Sequence, residues 1–182
     1  MDRPESVASK TVWRQWARSV AVDPVAVSAA VVEALDAFLD AGTIVLGFLP
    51  MPDEVDLRPL YAFEDRTWLV TRTPAEGPLT VHSAASPLEV HDYGFAQPVA
   101  GSTEVDPTAI DAVLVPGVVF DRSGGRLGRG MGYYDEVLTR CRPDVTRIGV
   151  TVDALVVPAV PMEPHDLAMT HLVTDSGVTT IQ

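Results

Sequence analysis

The sequence predicts an α/β fold with a largely parallel central sheet, and three observations carry that prediction. Thr43–Phe48 (Thr-Ile-Val-Leu-Gly-Phe), Ala112–Val115 and Arg147–Val152 are short, nearly continuous apolar runs, as expected of strands buried on both faces. Stretches around them carry apolar residues at helical spacing. No internal repeat or low-complexity segment interrupts the alternation of strand and helix.

Residues 5–20 read as a helix, with Trp13, Trp16, Ala17 and Val20 on one face. Lys10, Arg14 and Arg18 recur every four residues as a cationic stripe beside that face, and Lys10 is the only lysine in the chain. Taken alone, such a stripe reads as a solvated flank. Pro24 can start a second helix that runs to Ala41 through Val27, Ala30, Val31, Leu35 and Phe38, with Gly42 placed to end it. The run Thr43–Phe48 follows, and Leu49–Glu54 is then the loop at its C-terminal end, where ligands bind in open α/β sheets. Trp68–Thr71, Leu79–Val81 and Leu88–His91 are weaker strand candidates, set apart by Pro74, Gly77 and Pro87. After the strand Ala112–Val115, residues 116–132 read as a loop and about 133–141 as a helix, with Tyr134, Val137, Leu138 and Cys141 on its apolar face. The strand Arg147–Val152, a proline-rich stretch Val157–Asp166 and a last strand Leu172–Thr174 complete the chain.

At 182 residues the chain suits one sizeable core, and the expectation is a single domain over residues 1–182. A formal net charge of −12 leaves no broad basic face, which argues against nucleic-acid binding. There is no apolar run of about 18 residues, so no membrane partner is expected, and a cytoplasmic location is the default. The single cysteine, Cys141, excludes an internal disulfide and gives no metal cluster.

Against this acidic background the segment Val115–Asp135 stands out. Glycines 128, 130 and 132 leave backbone N–H groups uncovered, Arg126 and Arg129 add positive charge, and a helix begins near Tyr133. These are the parts of a phosphate cradle. The spacing is neither GxxxxGK[ST] nor GxGxxG, so a nucleotide cradle of another design fits better. Asp135 in the first helical turn and Asp166 at a loop end suit Mg²⁺, which at phosphate sites takes one or two carboxylates; either one alone also suits a structural role. Glu54 and Asp56 suit a donor-rich heterocycle, or simple loop solvation. His82 and His91 read as core or surface residues, and Cys141 as buried and inert.

The string Pro116-Gly…Phe120-Asp121…Gly124…Arg126-Leu-Gly-Arg-Gly-Met-Gly-Tyr-Tyr-Asp135 closely resembles the signature of the 5-formyltetrahydrofolate cyclo-ligase (methenyltetrahydrofolate synthetase) family. Lys10-x-x-x-Arg14, Met51-Pro-Asp-Glu54-Val-Asp56, Tyr93-Gly-Phe-Ala-Gln97-Pro98, Ile148-Gly149, Pro161-x-Glu163-Pro-His-Asp166 and Val173-Thr174 resemble further family segments, colinear over nearly the whole chain. The resemblance implies a Rossmann-like three-layer α/β domain of the kind shared with sugar-phosphate isomerases and CoA transferases. It also implies ATP- and Mg²⁺-dependent closure of 5-formyltetrahydrofolate to the 5,10-methenyl form, through a phosphorylated formyl oxygen. Carried over by position, Lys10, Arg14 and the loop Arg126, Leu127, Gly128, Arg129, Gly130, Met131, Gly132, Tyr133, Tyr134 bind ATP. Leu49, Glu54 and the residues from Arg129 to Tyr133 bind the folate; Lys10, Arg129 and Tyr133 are the catalytic set; Asp135 and Asp166 hold Mg²⁺. The partners implied are small molecules, and the expected state is a monomer. Met131, Leu155 and Leu57 depart from residues common in the family, where glycine or lysine, glutamine and threonine are usual. A nucleotide- or folate-binding regulator without turnover is the alternative reading. A sugar-phosphate isomerase is a second, although it has no need of Lys10-x-x-x-Arg14 or of two metal-binding aspartates.

Overall fold

Neighbouring residues along each apolar run point to opposite faces of a sheet, and here each face is covered by its own core. The computed structural model describes residues 2–5, 8–163 and 166–181, without the side chains of Pro24 and Val25. In β1 (Ile44–Leu46), Val45 enters one core and Leu46 the other. In β6 (Ala112–Pro116), Ala112 and Leu114 face the first while Val113 and Val115 face the second. β9 (Thr146–Val150) gives Ile148 and Val150 to the first core, and β2 (Thr67–Arg72) splits Trp68 from Leu69 in the same way. α2 (Pro24–Phe38) covers the first face with Val31 and Leu35, and α3 (Tyr133–Arg140) covers the second with Val137 and Leu138. The result is a three-layer α/β/α arrangement with a mostly parallel sheet, as the sequence predicts.

With β3 (Thr80–Ser83), β11 (His171–Thr174) and β12 (Gly177–Thr180), the sheet runs in the order β12-β11-β9-β6-β1-β2-β3. The five inner strands are parallel, and the two edges are antiparallel hairpin partners. Val45 sits opposite Trp68 on one side and Ala112 on the other, which fixes the register by apolar side chains. β12 has no counterpart in the sequence reading, because Gly-Val-Thr-Thr is a short, half-polar edge segment. Only three α-helices form among the described residues, so the expected alternation of strand and helix is incomplete; a 3₁₀ turn at Arg58–Ala62 serves the crossover between β1 and β2.

Two boundaries differ from expectation for local reasons. α1 (Lys10–Ser19) begins five residues later than residue 5, because Ser9 is extended and its side chain accepts from the Val12 N–H as an N-cap. α2 ends at Phe38 rather than Ala41, and Arg66 closes its C-terminus: Nη1 reaches Asp36 Oδ1 (2.6 Å) and Nη2 reaches the Leu39 carbonyl (2.7 Å).

The stretch 116–132 is not a plain loop. β7 (Val119–Asp121) and β8 (Arg126–Leu127) form a hairpin, joined in parallel by β10 (Val156–Val157). Asp121 ties it together, with Oδ1 accepting from Ser123 N and Gly125 N and Oδ2 from Val160 N, each at 2.8 Å. α1 lies on this small sheet through Trp13, Trp16 and Ala17 against Val119, Leu127, Val157 and Val160. A second ribbon, β4 (Leu88–Val90) with β5 (Ala96–Pro98), leans on the end of β2, where Arg72 Nη1 donates to Glu89 and to the Pro98 carbonyl, both at 2.5 Å. No helix of the described residues is long and apolar enough to cross a membrane.

Candidate functional site

From β1 the chain moves toward β2 and β3, and from β6 it moves the other way, toward β9, β11 and β12. The C-terminal ends of β1 and β6 therefore diverge, and a crevice opens where ligands bind in such sheets. A cleft of about 500 Å³ lies there, walled by Phe48, Leu49 and Glu54 after β1, by Pro116 and Gly117 after β6, and by the loop Arg126–Asp135. Lys10 and Arg14 of α1 and Asp166 close another side, so every residue carried over by the family resemblance lines this one cleft.

The loop is shaped by its glycines. Gly132 is the N-cap of α3 in the left-handed region (φ 70°), and Gly130 has φ 106° with the Arg14 guanidinium against the space a Cβ would fill. The N-terminal residues of α3, Gly132 to Asp135, line the cleft and bring the positive end of the helix to it. Arg14 Nε donates to the Gly128 carbonyl (2.9 Å), which fastens α1 to the loop. Leu127 packs its side chain into the core beneath α1, whereas Met131 is 66% exposed.

The charged residues arrive already paired. Arg126 is nearly buried and bonds Asp135 Oδ1 (2.6 Å) and the Pro116 carbonyl (3.2 Å). Lys10 Nζ lies 3.1 Å from Asp166 Oδ2 and 3.4 Å from Glu163 Oε1. A lysine in the first turn of a helix opposes the helix dipole, and these carboxylates offset that. Arg129 spans the cleft to Asp53 (2.7 Å) and Glu54 (3.2 Å); burial works against its charge, but the two carboxylates outweigh it and raise its pKa. Beyond this bridge a second chamber of about 470 Å³ continues over the ends of β6 and β9, floored by Thr151 and walled by Val118, Val152 and Leu155.

Asp56 does not join the site. It grips Arg58 through Nε (2.8 Å) and Nη2 (2.6 Å), a pairing that lowers its pKa, and stays outside the cleft lining. His82 is structural, its ring held between Thr80 Oγ1 and the Thr103 carbonyl. Cys141 is buried, and burial pushes its thiol pKa up. His91, by contrast, is at the cleft: it stacks on Phe95 (4.6 Å between centroids) and, with exposed Tyr93, forms an aromatic rim carried by the β4–β5 ribbon. Sequence reasoning missed this rim as part of the site. Its signal was an aromatic pair flanking Gly94, a turn that exposes rings with no core to fill.

For Mg²⁺ the donor chemistry fits. Asp135 and Asp166 both line the cleft and supply hard carboxylate oxygens, Asp135 beside Arg126 and Asp166 beside Lys10. Among the described residues no group of three or more metal-ligating side chains forms, so an ion held by Asp135 and Asp166 would take its other ligands from substrate oxygens or water.

The model of the 5-formyltetrahydrofolate cyclo-ligase family matches residues 13–175. The chain belongs to this family. A cyclo-ligase from Mycolicibacterium smegmatis is 47% identical over 64 residues, 35% of this chain and 33% of that protein. A probable cyclo-ligase from Schizosaccharomyces pombe is 30% identical over 104 residues, 50% of this chain and 51% of that one. The matches thus span about half or less of these relatives' own lengths. The NMR structure of Aquifex aeolicus 5,10-methenyltetrahydrofolate synthetase superposes with a TM-score of 0.79 at 27% identity, covering 95% of this chain and 93% of that one.

Proposed function

We propose that the chain acts as a single-domain, monomeric 5-formyltetrahydrofolate cyclo-ligase that uses ATP and Mg²⁺. The observation that carries this is one cleft uniting an anion cradle (Lys10, Arg14, Arg126, Arg129 and the α3 N-terminus), two carboxylates suited to Mg²⁺, and Glu54 suited to the heterocycle. Family membership supplies the reaction class. Cys141 is buried with its thiol pKa pushed up by that burial, in keeping with a path that needs no covalent enzyme intermediate.

In this reading Asp135 and Asp166 hold Mg²⁺, which would neutralise phosphate charge. Lys10 and Arg14 position the triphosphate, and the glycine loop donates backbone N–H groups to it. Glu54 and Leu49 hold the folate so that the formyl oxygen faces the γ-phosphate. That oxygen attacks phosphorus and ADP leaves; N10 then attacks the activated formyl carbon and gives up its proton to water or the departing phosphate, and the C–O bond breaks with release of phosphate. Arg129 and Tyr133 border both ligands and stabilise the charge that moves between them. The protein's share is orientation and electrostatics.

The test is to incubate the protein with 5-formyltetrahydrofolate, ATP and Mg²⁺ and follow the near-ultraviolet absorbance of the methenyl product. Lys10→Ala should raise the KM for ATP about 10-fold or more, from loss of a charge-assisted contact. Folate binding without product would favour a regulator, and no folate binding at all would overturn the reading.

A further inference from the structure

Arg129 is held from two sides, and the two holds differ. Its Nη2 donates to Asp53 Oδ1 at 2.7 Å, while Nη2 and Nε reach Glu54 Oε1 only at 3.2 and 3.3 Å. Among charge-assisted contacts of one kind the shorter is the stronger, so Asp53 is the primary partner and Glu54 the releasable one. The other Glu54 oxygen, Oε2, accepts from Met51 N (3.0 Å), and Glu54 N donates to the Met51 carbonyl (3.0 Å). The carboxylate is thus locked to its own turn, and its exchangeable atom is Oε1. That atom already accepts two bonds from Arg129, so a heterocycle placing donors on it must displace the guanidinium. Asp53 stands out of a substrate's way: it lines the second chamber and not the first cleft, whereas Glu54 and Arg129 line both.

We infer that Asp53 is a positioning residue that draws the Arg129 guanidinium toward the second chamber and so keeps Glu54 Oε1 available to the donor edge of the substrate heterocycle. This rests on the cyclo-ligase reading, in which Glu54 binds that ring. A guanidinium carries five N–H donors in a rigid fork, so Arg129 can surrender its contacts with Glu54 and stay anchored through Asp53. The event is an exchange of hydrogen-bond partners, with no covalent bond made or broken. Once Glu54 lets go, Asp53 also retains Arg129 at the border of the two ligands, where its charge is needed. Without the Asp53 charge the guanidinium falls back on Glu54, whose side chain is only 14% exposed, and low exposure strengthens that pair. The substrate then competes with a closed ion pair.

The experiment titrates 5-formyltetrahydrofolate into the wild type, Asp53→Asn, Asp53→Glu, Arg129→Ala and the double variant Asp53→Asn/Arg129→Ala by calorimetry, with steady-state kinetics and Tm alongside. Asp53→Asn should raise the folate Kd about 5-fold, the upper end of what an exposed ion pair contributes, while the KM for ATP stays within about 2-fold. In the Arg129→Ala background the same substitution should leave the folate Kd within about 2-fold, because no guanidinium remains to fall back on Glu54. Asp53→Glu keeps the charge and should stay within about 2-fold of wild type. A merely structural Asp53 would shift Tm and both ligands together, with or without Arg129. An unchanged Kd in Asp53→Asn, or an equal rise in both backgrounds, overturns the assignment. Should Arg129→Ala bind no folate, Asp53→Glu decides: wild-type affinity upholds the role, and affinity as poor as that of Asp53→Asn overturns it. Wild-type protein that binds no folate overturns the cyclo-ligase reading itself, before any variant is compared.

Discussion

Gly149 is a tightly enclosed position in the scaffold, and Gly149→Ala turns that into a number. A Cβ there would lie 2.5 Å from Phe120 Cε1, and 2.8 Å from both Phe120 Cδ1 and Leu172 Cδ2. The Phe120 ring is fully buried and cannot back away freely, because a Cβ on Gly117 would meet its other edge at 2.5 Å. The ring is clamped between the backbones of β9 and the turn after β6, and it fixes the β7–β8 hairpin that leads into the glycine loop. Relieving contacts about 1 Å too short places the cost in the upper part of the ~1–3 kcal/mol range for overpacking. For a chain of this size about 2–3 kcal/mol lowers Tm by roughly 5–10 °C. Phe120→Ala alone should cost about 3–5 kcal/mol. In the double variant the added methyl occupies space the ring has left, so Gly149→Ala should then cost about 0.5 kcal/mol or less, a coupling of about 2 kcal/mol. Chemical denaturation of the four proteins gives the cycle. If Gly149→Ala costs the same in both backgrounds, the clamp is not what the glycine serves.

Further outcomes follow from the same geometry. Arg66 is 5% exposed and caps α2 through Asp36 and two bonds to the Leu39 carbonyl, so Arg66→Ala should cost about 2–4 kcal/mol by thermal unfolding, with ligand affinities unchanged. Asp111 accepts from Ile44 N (2.9 Å) and from Arg142 (2.8 Å), in that order of importance, and both lower its pKa below the ordinary carboxylate value. Its stabilising effect is therefore complete above the unfolded pKa of about 3.9 and is lost as pH falls through the folded value. Asp111→Asn should cost about 1 kcal/mol at pH 7, a figure discounted for solvent screening, with the gap to wild type closing in acid; a gap that widens in acid would reverse the sign.

The inner strands were legible because Ile44–Leu46, Ala112–Pro116 and Thr146–Val150 are buried on both faces, and burial of that kind leaves an unbroken apolar signature. The loop Arg126–Asp135 could be picked out as a cleft wall because glycines and arginines crowd one segment of an acidic chain. β8 was hidden because Arg126 and Leu127 pair through the backbone, and a two-residue strand has no period to detect. Asp56 and Glu54 looked equivalent in sequence, but Arg58 two residues on captures the first by a short-range fork that leaves the second to the cleft. Tyr93 and His91 escaped because their place at the rim depends on how Arg72 docks a ribbon remote from the cradle in sequence, and such docking writes nothing periodic into the chain.

The ion pairs Lys10–Asp166, Arg126–Asp135 and Arg129–Glu54 make the cleft its own salt. A polyanion arriving alone must prise cations from their carboxylates and leave those carboxylates crowded. A divalent cation arriving alone must do the reverse. Were the two to arrive together, Lys10 and Arg126 could turn to the anion while Asp166 and Asp135 turn to the cation, so these two pairs would favour joint binding over either ion alone.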